Sequence, residues 1–453
     1  MAASKKKAKK GASSSSKAGK LPPKRAAKKA PTKKLTKRQA AKKAAEEKTG
    51  ANGATDIQSW LEKVQKLPKF KGTVQISRAS DVSVPYRLRR NTGVFRVDRA
   101  LGGGFHAGGN SQVYGGESSG KTFLAYLAAG NVQRNYGDAA AILVVNTEVR
   151  PDKTFARRAG FRVAYSQDEI DHFSNLRKDR GQEPFTKEQL HDLTYQPGTV
   201  LVASGSTGEK ALEAAYETLK LGLFQLVIIE SLGALLPQDQ EDGEVGDRTY
   251  GGSSVMLTQF MNKVYPLFML DRGDGSMLET TILGINQVRE IMSYTGRGKT
   301  TKPAAGARAW RHAQLVSLEL SKSAGIRAVA NGPFIGHEVK WEITKGKAGT
   351  HDGKKGSYSY FHVPKDDPAF WSDVELNSTQ WGIDQITDLV EGAAEVGAIE
   401  VSGSWYKWEE GGQLIVRAQG KDAFAEHIVN DPELEAMLWD CSMRRANLPV
   451  RYK

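Results

Sequence analysis

The sequence predicts an α/β fold built on a mainly parallel sheet, and two observations support this. Short apolar runs of buried-strand character alternate along the chain with helical patterns, and a glycine-rich loop stands between one such strand and the helix after it. Parallel strands need long crossover connections, which are usually helices, so this alternation is typical of a parallel α/β sheet.

The elements of the predicted sheet follow each other in a regular order. The expected strands are residues 110–114, 140–145, 200–203, 226–229 and 281–285, and the last four are apolar runs that are expected to be buried. The expected helices are residues 121–134, 209–220 and 254–269. A polar, charged stretch at 161–199 looks like an insertion between two strands. We therefore assign residues 91–365 to one core domain.

Segments on either side of this core are expected to be separate. After about Pro364 the pattern changes to small helices at 381–396 and 421–445, around a hairpin formed by WYKWEE and QLIVRA. This predicts a small α+β domain over 366–453. Residues 51–90 are expected to hold an N-terminal helix and a strand, because Ile57, Trp60, Leu61 and Val64 share one face of a helix at 56–66.

The charge of the chain is concentrated in its first 50 residues, which we call the basic tail. The tail holds 16 Lys, 2 Arg and 2 Glu, a net charge of +16, whereas the whole chain carries +14, so the remainder is close to neutral. Such a segment is predicted to be disordered and to contact nucleic-acid phosphates weakly. A solubilising or localisation element is the alternative.

Composition also limits the class of protein. Cys441 is the one cysteine, so no internal disulfide can form, which suits a reducing, cytoplasmic setting. No uninterrupted apolar run approaches the length of a membrane span.

The strongest motif is a phosphate-binding loop of the form GxxxxGK[ST]. It consists of Gly115, Gly116, Glu117, Ser118, Ser119, Gly120, Lys121 and Thr122. The loop follows a predicted strand and opens a predicted helix, which is the context that this motif requires. Lys121 is expected to reach the β- and γ-phosphates of a nucleotide, and Thr122 is expected to bind Mg²⁺.

Other strand ends supply groups that suit the same chemistry. The apolar run at 226–229 ends in Glu230, a candidate Mg²⁺ ligand. Glu148 follows another strand and could activate a water, although a solvated loop glutamate is the alternative. Gln287 ends a further strand, where an amide could contact the γ-phosphate.

Seven segments in the same order resemble the bacterial and phage RecA recombinases over roughly residues 57–445. They are GESSGKT, TGEKALE, LVIIESLGALLP, GEVGD, LGINQVR, TKGK and GSWYKW. The resemblance implies a RecA-like ATPase core that uses ATP and Mg²⁺, forms helical filaments of identical subunits on single-stranded DNA, and pairs it with duplex DNA in recombination and repair.

The resemblance also implies that the helix at 56–66 is an oligomerisation helix that docks onto a neighbouring subunit; packing on its own core is the alternative. It further implies roles for individual residues. Glu148 matches the glutamate that activates water, and Gln287 the glutamine that couples the γ-phosphate to a DNA-binding loop. Asp152 and Phe155 match adenine-contacting positions. Lys345 and Lys347 match two lysines that reach the ATP of a neighbouring subunit; without the resemblance they would be read as surface charge.

Two loops are expected to bind DNA, at about 238–252 and 289–306. The second is read as 18 residues without a helix or strand pattern, which in a compact domain indicates function or disorder. Its candidate DNA contacts are Arg289, Met292, Tyr294, Arg297, Lys299 and Gly306.

Several positions depart from the family pattern. Glu230 stands where the family usually has aspartate, and Val255 and Asn262 stand where bacterial proteins have DNA-contacting arginines. The basic tail and the 161–199 insertion also lie outside the pattern. These departures favour a divergent member of the family, of the phage-encoded kind.

Two other functions share the nucleotide motif. A RecA-fold hexameric helicase would need a substantial N-terminal domain and an arginine finger, which the first 90 residues do not suggest. A regulator that binds ATP without turnover is left open by Glu230, but Glu148 argues against it.

Overall fold

The computed structural model describes residues 59, 63–64, 66–68, 88–147, 152–241, 252–269, 278–292, 299–303, 308–327, 330–332, 334–347, 349–350, 352–361 and 382–449. The chain divides into two units, Met1–Ile76 and Ser77–Lys453. In the first unit Ser59, Lys63 and Val64 are helical, within the helix predicted at 56–66. Trp60, Leu61 and the basic tail lie outside the described residues.

The second unit holds all the strands of the described residues. They are β1 Arg89–Arg90, β2 Phe105–His106, β3 Gly109–Gly115, β4 Ala141–Asn146, β5 Thr199–Ala203, β6 Leu226–Glu230, β7 Thr281–Met292, β8 Lys299–Pro303, β9 Val316–Arg327, β10 Phe334–Gly346, β11 Lys355–Phe361, β12 Gly382–Ile383, β13 Ile399–Ser402, β14 Trp405–Glu410 and β15 Gln413–Gln419.

Helices connect these strands. They are α1 Phe95–Leu101, α2 Lys121–Tyr136, α3 Lys153–Arg158, α4 Gln167–Asp179, α5 Lys187–Thr194, α6 Gly208–Lys220, α7 Gln238–Glu241, α8 Gly252–Met269, α9 Arg308–Ala313, α10 Gln385–Glu395, α11 Lys421–Val429 and α12 Pro432–Arg445.

The main sheet has the strand order β12-β11-β10-β9-β3-β7-β6-β4-β5, and β8 pairs with β7. The six strands from β9 to β5 run parallel, whereas β10, β11 and β12 add an antiparallel arm. The predicted α/β fold with a mainly parallel sheet is confirmed.

Hydrophobic packing covers both faces of the central strands. Alternate residues of one strand belong to different cores: Ile142 and Val144 face the core that includes α2, whereas Leu143 and Val145 face the core that includes α6 and α8. This two-residue alternation explains why the central strands are apolar at successive positions.

Two expectations about the strands are wrong. Residues 200–203 were expected to be buried, but β5 is the edge strand, and the side chains of Leu201 and Val202 are 44% and 50% exposed. The segment 289–306 is not without strand structure, because β7 continues to Met292 and pairs with β8. The end of β7 pairs with the backbone of β8, although the polar residues of this segment gave no strand pattern.

The C-terminal helices also differ from the expectation. The pattern at 381–396 contains a short strand, β12, which joins the main sheet before α10 begins. The pattern at 421–445 is two helices. Asp431 accepts hydrogen bonds from the backbone N–H groups of Glu433 and Leu434, and Pro432 occupies the first turn of α12. Proline has no N–H to donate, so α11 cannot continue through it.

A third hydrophobic core joins the C-terminal elements to α1. It contains Phe95 of α1, whose ring meets Trp439 of α12 edge to face at 5.3 Å between centroids. Arg96 donates from its backbone N–H and its Nε to the buried carboxylate of Asp388 on α10, at 2.9 and 2.7 Å. The boundary expected near 365 lies outside the described residues and stays a prediction.

Among the helices that the structure describes, none combines the length and the apolar character that crossing a membrane requires.

Candidate nucleotide-binding site

The glycine-rich loop lies at the carboxyl end of β3 and leads directly into α2. A Cβ atom on Gly115 would lie 2.0 Å from the carbonyl oxygen of Leu320, so no larger residue fits there. Gly120 has a φ of +84°, which favours glycine. Within the loop, the Ser119 hydroxyl and the Lys121 ammonium both donate to the Gly116 carbonyl, at 2.9 and 2.6 Å.

Glu230, at the end of β6, lies beside the start of α2. The Thr122 hydroxyl donates to Glu230 Oε1 at 2.6 Å, and the Tyr126 hydroxyl donates to Oε2 at 2.9 Å. Tyr126 lies outside the phosphate-loop motif, and only its spacing of four residues from Thr122 indicates that the two share a helix face. Burial, and then the charge of Glu230, raise the pKa of Tyr126 well above its usual value.

The chemistry of these side chains fits Mg²⁺. A hydroxyl and a carboxylate are hard oxygen donors of the kind that Mg²⁺ prefers, and here they lie within hydrogen-bond distance of each other. Lys121 stands at the first position of α2, where the N-terminal end of the helix also favours phosphate. Thr122 and Glu230 would therefore hold Mg²⁺, and Lys121 with the loop backbone would hold the phosphates.

Neighbouring strand ends approach the same place. Thr147, which follows β4, donates from its backbone N–H to the Glu230 carbonyl at 2.9 Å. Glu148 lies outside the described residues, so its role stays a prediction. In the parallel pairing of β3 with β7, Gln287 is the partner of Gly115, the first residue of the loop, and its side chain is exposed.

The two candidate adenine contacts lie at the start of α3. Asp152 caps this helix, because its carboxylate accepts from the N–H groups of Thr154 and Phe155 at 2.9 and 3.1 Å. The Phe155 ring is half-buried and meets Phe123 and Tyr126 of α2 at 5.7 and 6.1 Å between centroids. Phe155 thus packs against the helix that carries Lys121, and the contact of both residues with a base stays a prediction.

Lys345 and Lys347 lie at the end of β10, beside the amino end of β9. The pairing of β10 with β9 places Lys345 beside Ser317, and that of β9 with β3 places Ser317 beside Gln112. The ammonium groups of Lys345 and Lys347 donate to the carbonyls of Arg311 and His312 in the last turn of α9. Burial, and then the charge of Lys347, lower the pKa of Lys345.

The candidate DNA-binding segment is described only in part. The backbones of Arg289 and Met292 belong to β7 and pair with Lys302 and Lys299 of β8. Tyr294, Arg297 and Gly306, and the side chains of the other candidates, lie outside the described residues. In the first candidate loop, residues 242–251 lie outside them too.

Comparison with known proteins agrees with this architecture. Residues 187–352 match the family model of the RecA N-terminal domain. The chain is 28% identical to the protein RecA of Thermus thermophilus over 344 residues, which cover 76% of this chain and 81% of that protein. It is 27% identical to the protein RecA of Heliobacterium modesticaldum over 388 residues, 85% of this chain and 92% of that protein.

The match over most of the length of RecA proteins, together with the strand order and the phosphate loop, leads to one conclusion. This chain is similar to the RecA family and resembles a divergent member of it.

Proposed function

We propose that this chain is an ATP-dependent recombinase that binds single-stranded DNA as a helical filament, hydrolyses ATP between adjacent subunits, and promotes homologous pairing and strand exchange. The observation that carries the proposal is the position of the two sets of candidate ATP-contacting residues. Lys121, Thr122 and Glu230 lie at the carboxyl ends of β3 and β6, which we call the carboxyl edge. Lys345 and Lys347 lie beside the amino end of β9, which we call the amino edge.

These two sets lie apart within one chain, so we expect them to contact different nucleotides. Lys345 is level with Gln112, three residues before the phosphate loop begins at Gly115, and two strands away from it. This is a separation of about 10 Å along the strands and about 10 Å across them. The Lys345 ammonium also bonds to α9, which precedes β9 at the amino edge. A shared ATP therefore requires a second subunit, placed head to tail.

Each residue at the phosphate loop has a defined task in this proposal. Lys121 would exchange the Gly116 carbonyl for phosphate oxygens, and Thr122 and Glu230 would hold Mg²⁺, which supplies positive charge to neutralise the phosphates. Glu148 activates the attacking water. Gln287 lies in β7, which runs on without interruption to Met292 in the candidate DNA-binding segment. A displacement of Gln287 would therefore be carried along one strand towards DNA.

Electron microscopy with single-stranded DNA and a slowly hydrolysed ATP analogue tests the assembly. Open helical filaments are expected. Closed rings would favour the hexameric helicase instead, because a head-to-tail contact closes or stays open according to its rotation. Absence of any DNA-bound assembly would contradict both functions.

A subunit-mixing assay tests the shared site. Lys121→Ala disables the phosphate loop, and Lys345→Ala with Lys347→Ala disables the opposite edge, so each variant alone should lack DNA-stimulated hydrolysis. Random assembly of an equal mixture restores an intact pair of edges at roughly one interface in four, and activity should return accordingly. A mixture no more active than its components would place the lysines outside the ATP site.

A further inference from the structure

Tyr126 holds the second oxygen of the carboxylate that is expected to bind Mg²⁺. Thr122 and Tyr126 are four residues apart on α2 and so lie on one face of the helix, one turn apart. Thr122 contacts Glu230 Oε1 and Tyr126 contacts Oε2, at 2.6 and 2.9 Å. We propose that Tyr126 is a positioning residue that orients Glu230 for Mg²⁺, an inference that rests on the proposed nucleotide site.

The length of the Glu230 side chain explains why its carboxylate needs to be held in position. Glutamate has one more methylene than aspartate, which adds a reach of about 1.5 Å and one more rotatable bond. A free glutamate would sample several carboxylate positions, and fixing one of them costs conformational entropy. Two hydroxyls from consecutive turns of one helix fix both carboxylate oxygens before a metal ion arrives.

The tyrosine is itself held in place by packing. Its side chain is 3% exposed. Its ring contacts Phe155 at 6.1 Å and Phe161 at 5.6 Å between centroids. A hydroxyl on a ring that is locked by its neighbours can aim a carboxylate, whereas a mobile side chain could not.

This arrangement links two parts of the site. Phe155 lies in the first turn of α3, and its backbone N–H donates to the cap residue Asp152. Tyr126 contacts this ring on one side and Glu230 through its hydroxyl. The packing that supports the candidate adenine contacts therefore also sets the position of the Mg²⁺ carboxylate.

A purely structural role is the competing explanation. In that case the hydroxyl would only satisfy a buried polar group, and its loss would lower stability without changing the response to Mg²⁺. The two explanations differ in the Mg²⁺ dependence of nucleotide binding, measured on the full chain without DNA.

The test is Tyr126→Phe, which keeps the ring and its packing and removes the hydroxyl. We expect affinity for a fluorescent ATP analogue in excess chelator to change by less than about twofold. The Mg²⁺ concentration for half-maximal tightening should rise about tenfold, in line with the loss of one hydrogen bond to a charged group. An unchanged Mg²⁺ requirement would overturn the inference.

Tyr136→Phe is the matched control, because Tyr136 ends the same helix and its hydroxyl accepts from Arg90 instead of contacting Glu230. It should leave the Mg²⁺ requirement as in the wild type. A tenfold rise in this control as well would overturn the inference, since it would show a general effect on α2.

A double-mutant cycle with Glu230→Asp sharpens the test. The shorter aspartate should not reach the Tyr126 hydroxyl, so Tyr126→Phe in that background should change the Mg²⁺ requirement by less than about twofold. Equal effects in both backgrounds would show that Tyr126 acts independently of Glu230.

The readout also separates this inference from the proposed recombinase function. Tyr126→Phe could have the expected effect on Mg²⁺-dependent nucleotide binding while the wild type forms no filaments on DNA. This result would contradict the recombinase function and support the positioning role of Tyr126. If the nucleotide affinity of the wild type did not depend on the Mg²⁺ concentration, the positioning role itself would be overturned.

Discussion

The two edges of the main sheet carry lysines in similar surroundings but with different consequences. At the carboxyl edge Lys121 bonds to the Gly116 carbonyl, and at the amino edge Lys345 and Lys347 bond to carbonyls of α9. Each ammonium therefore has a backbone partner that phosphate could replace. The difference is that the carboxyl edge gathers Lys121, Thr122 and Glu230 from one chain, whereas the amino edge has no phosphate loop beside it among the described residues.

From this contrast we infer that the carboxyl edge binds the nucleotide and that the amino edge controls the rate of hydrolysis. On this proposal, a phosphate loop held within one chain can bind nucleotide before assembly. A lysine pair that acted only on a neighbouring subunit would make hydrolysis depend on assembly. Changes at the two edges should therefore have separable effects.

The largest effect is expected at the carboxyl edge. Lys121→Ala removes the ammonium from the phosphate loop, so affinity for Mg²⁺-ATP should fall by about 100-fold or more and hydrolysis should become undetectable. Equilibrium binding and phosphate release measure the two effects. Lys220→Ala is the control, because Lys220 is exposed and pairs with Glu217; nucleotide binding retained by Lys121→Ala would contradict the site assignment.

A smaller and more selective effect is expected at the amino edge. The pair Lys345→Ala and Lys347→Ala should leave nucleotide binding by the free chain unchanged and lower DNA-stimulated hydrolysis on the order of 100-fold, because a charge that stabilises the transition state is lost. Lys340→Ala with Lys355→Ala, two exposed lysines on the same antiparallel arm, is the control. If substitutions at both edges lowered nucleotide affinity equally, the two edges would not have different roles.

A buried histidine near the amino edge should make the free energy of unfolding of the chain sensitive to acid. Buried His106 contacts the Thr350 hydroxyl at 3.1 Å, near Lys347, and burial together with the charge of Arg89 lowers its pKa to about 3. The unfolded chain binds a proton near pH 6.5 and the folded chain does not, so the free energy of unfolding should fall as pH drops from 6.5 towards 3. The decrease should reach about 2 kcal/mol at pH 5.

Urea unfolding of the wild type and of His106→Asn at pH 7 and pH 5 measures this decrease. The His106→Asn variant should lose that part of the pH dependence. His172→Asn, at an exposed position, should keep it. The same slope in all three proteins would exclude His106 as its source.

The smallest effect on ATP chemistry is expected from the basic tail, which belongs to neither edge. Deleting residues 1–50 should leave DNA-stimulated hydrolysis on single strands nearly intact, slow strand exchange, and reduce the salt dependence of duplex binding, because fewer counterions are released. A full-length chain with the tail lysines replaced by glutamine is the control for length. An unchanged duplex affinity and salt slope would favour a localisation or solubility element.

Local features of this fold could be predicted because a few neighbouring residues encode them. The phosphate loop between β3 and α2 and the apolar strands β4, β6 and β7 were placed within one or two residues at their starts. The break before α12 was also local, since Pro432 stands in the sequence, but the helical periodicity around it obscured the signal.

Long-range features depended on the order of strands in the sheet. The sequence alone contains Thr122, Tyr126 and Glu230, but only the pairing of β6 within the sheet brings a carboxylate to two hydroxyls more than a hundred residues earlier. The same holds for β5, whose apolar run looks central until the strand order places it at the edge. Periodicity is set by neighbours along the chain, whereas contacts between distant segments are set by which strands lie side by side. The tertiary structure therefore decided how Glu230 is held and which edge Lys345 and Lys347 occupy.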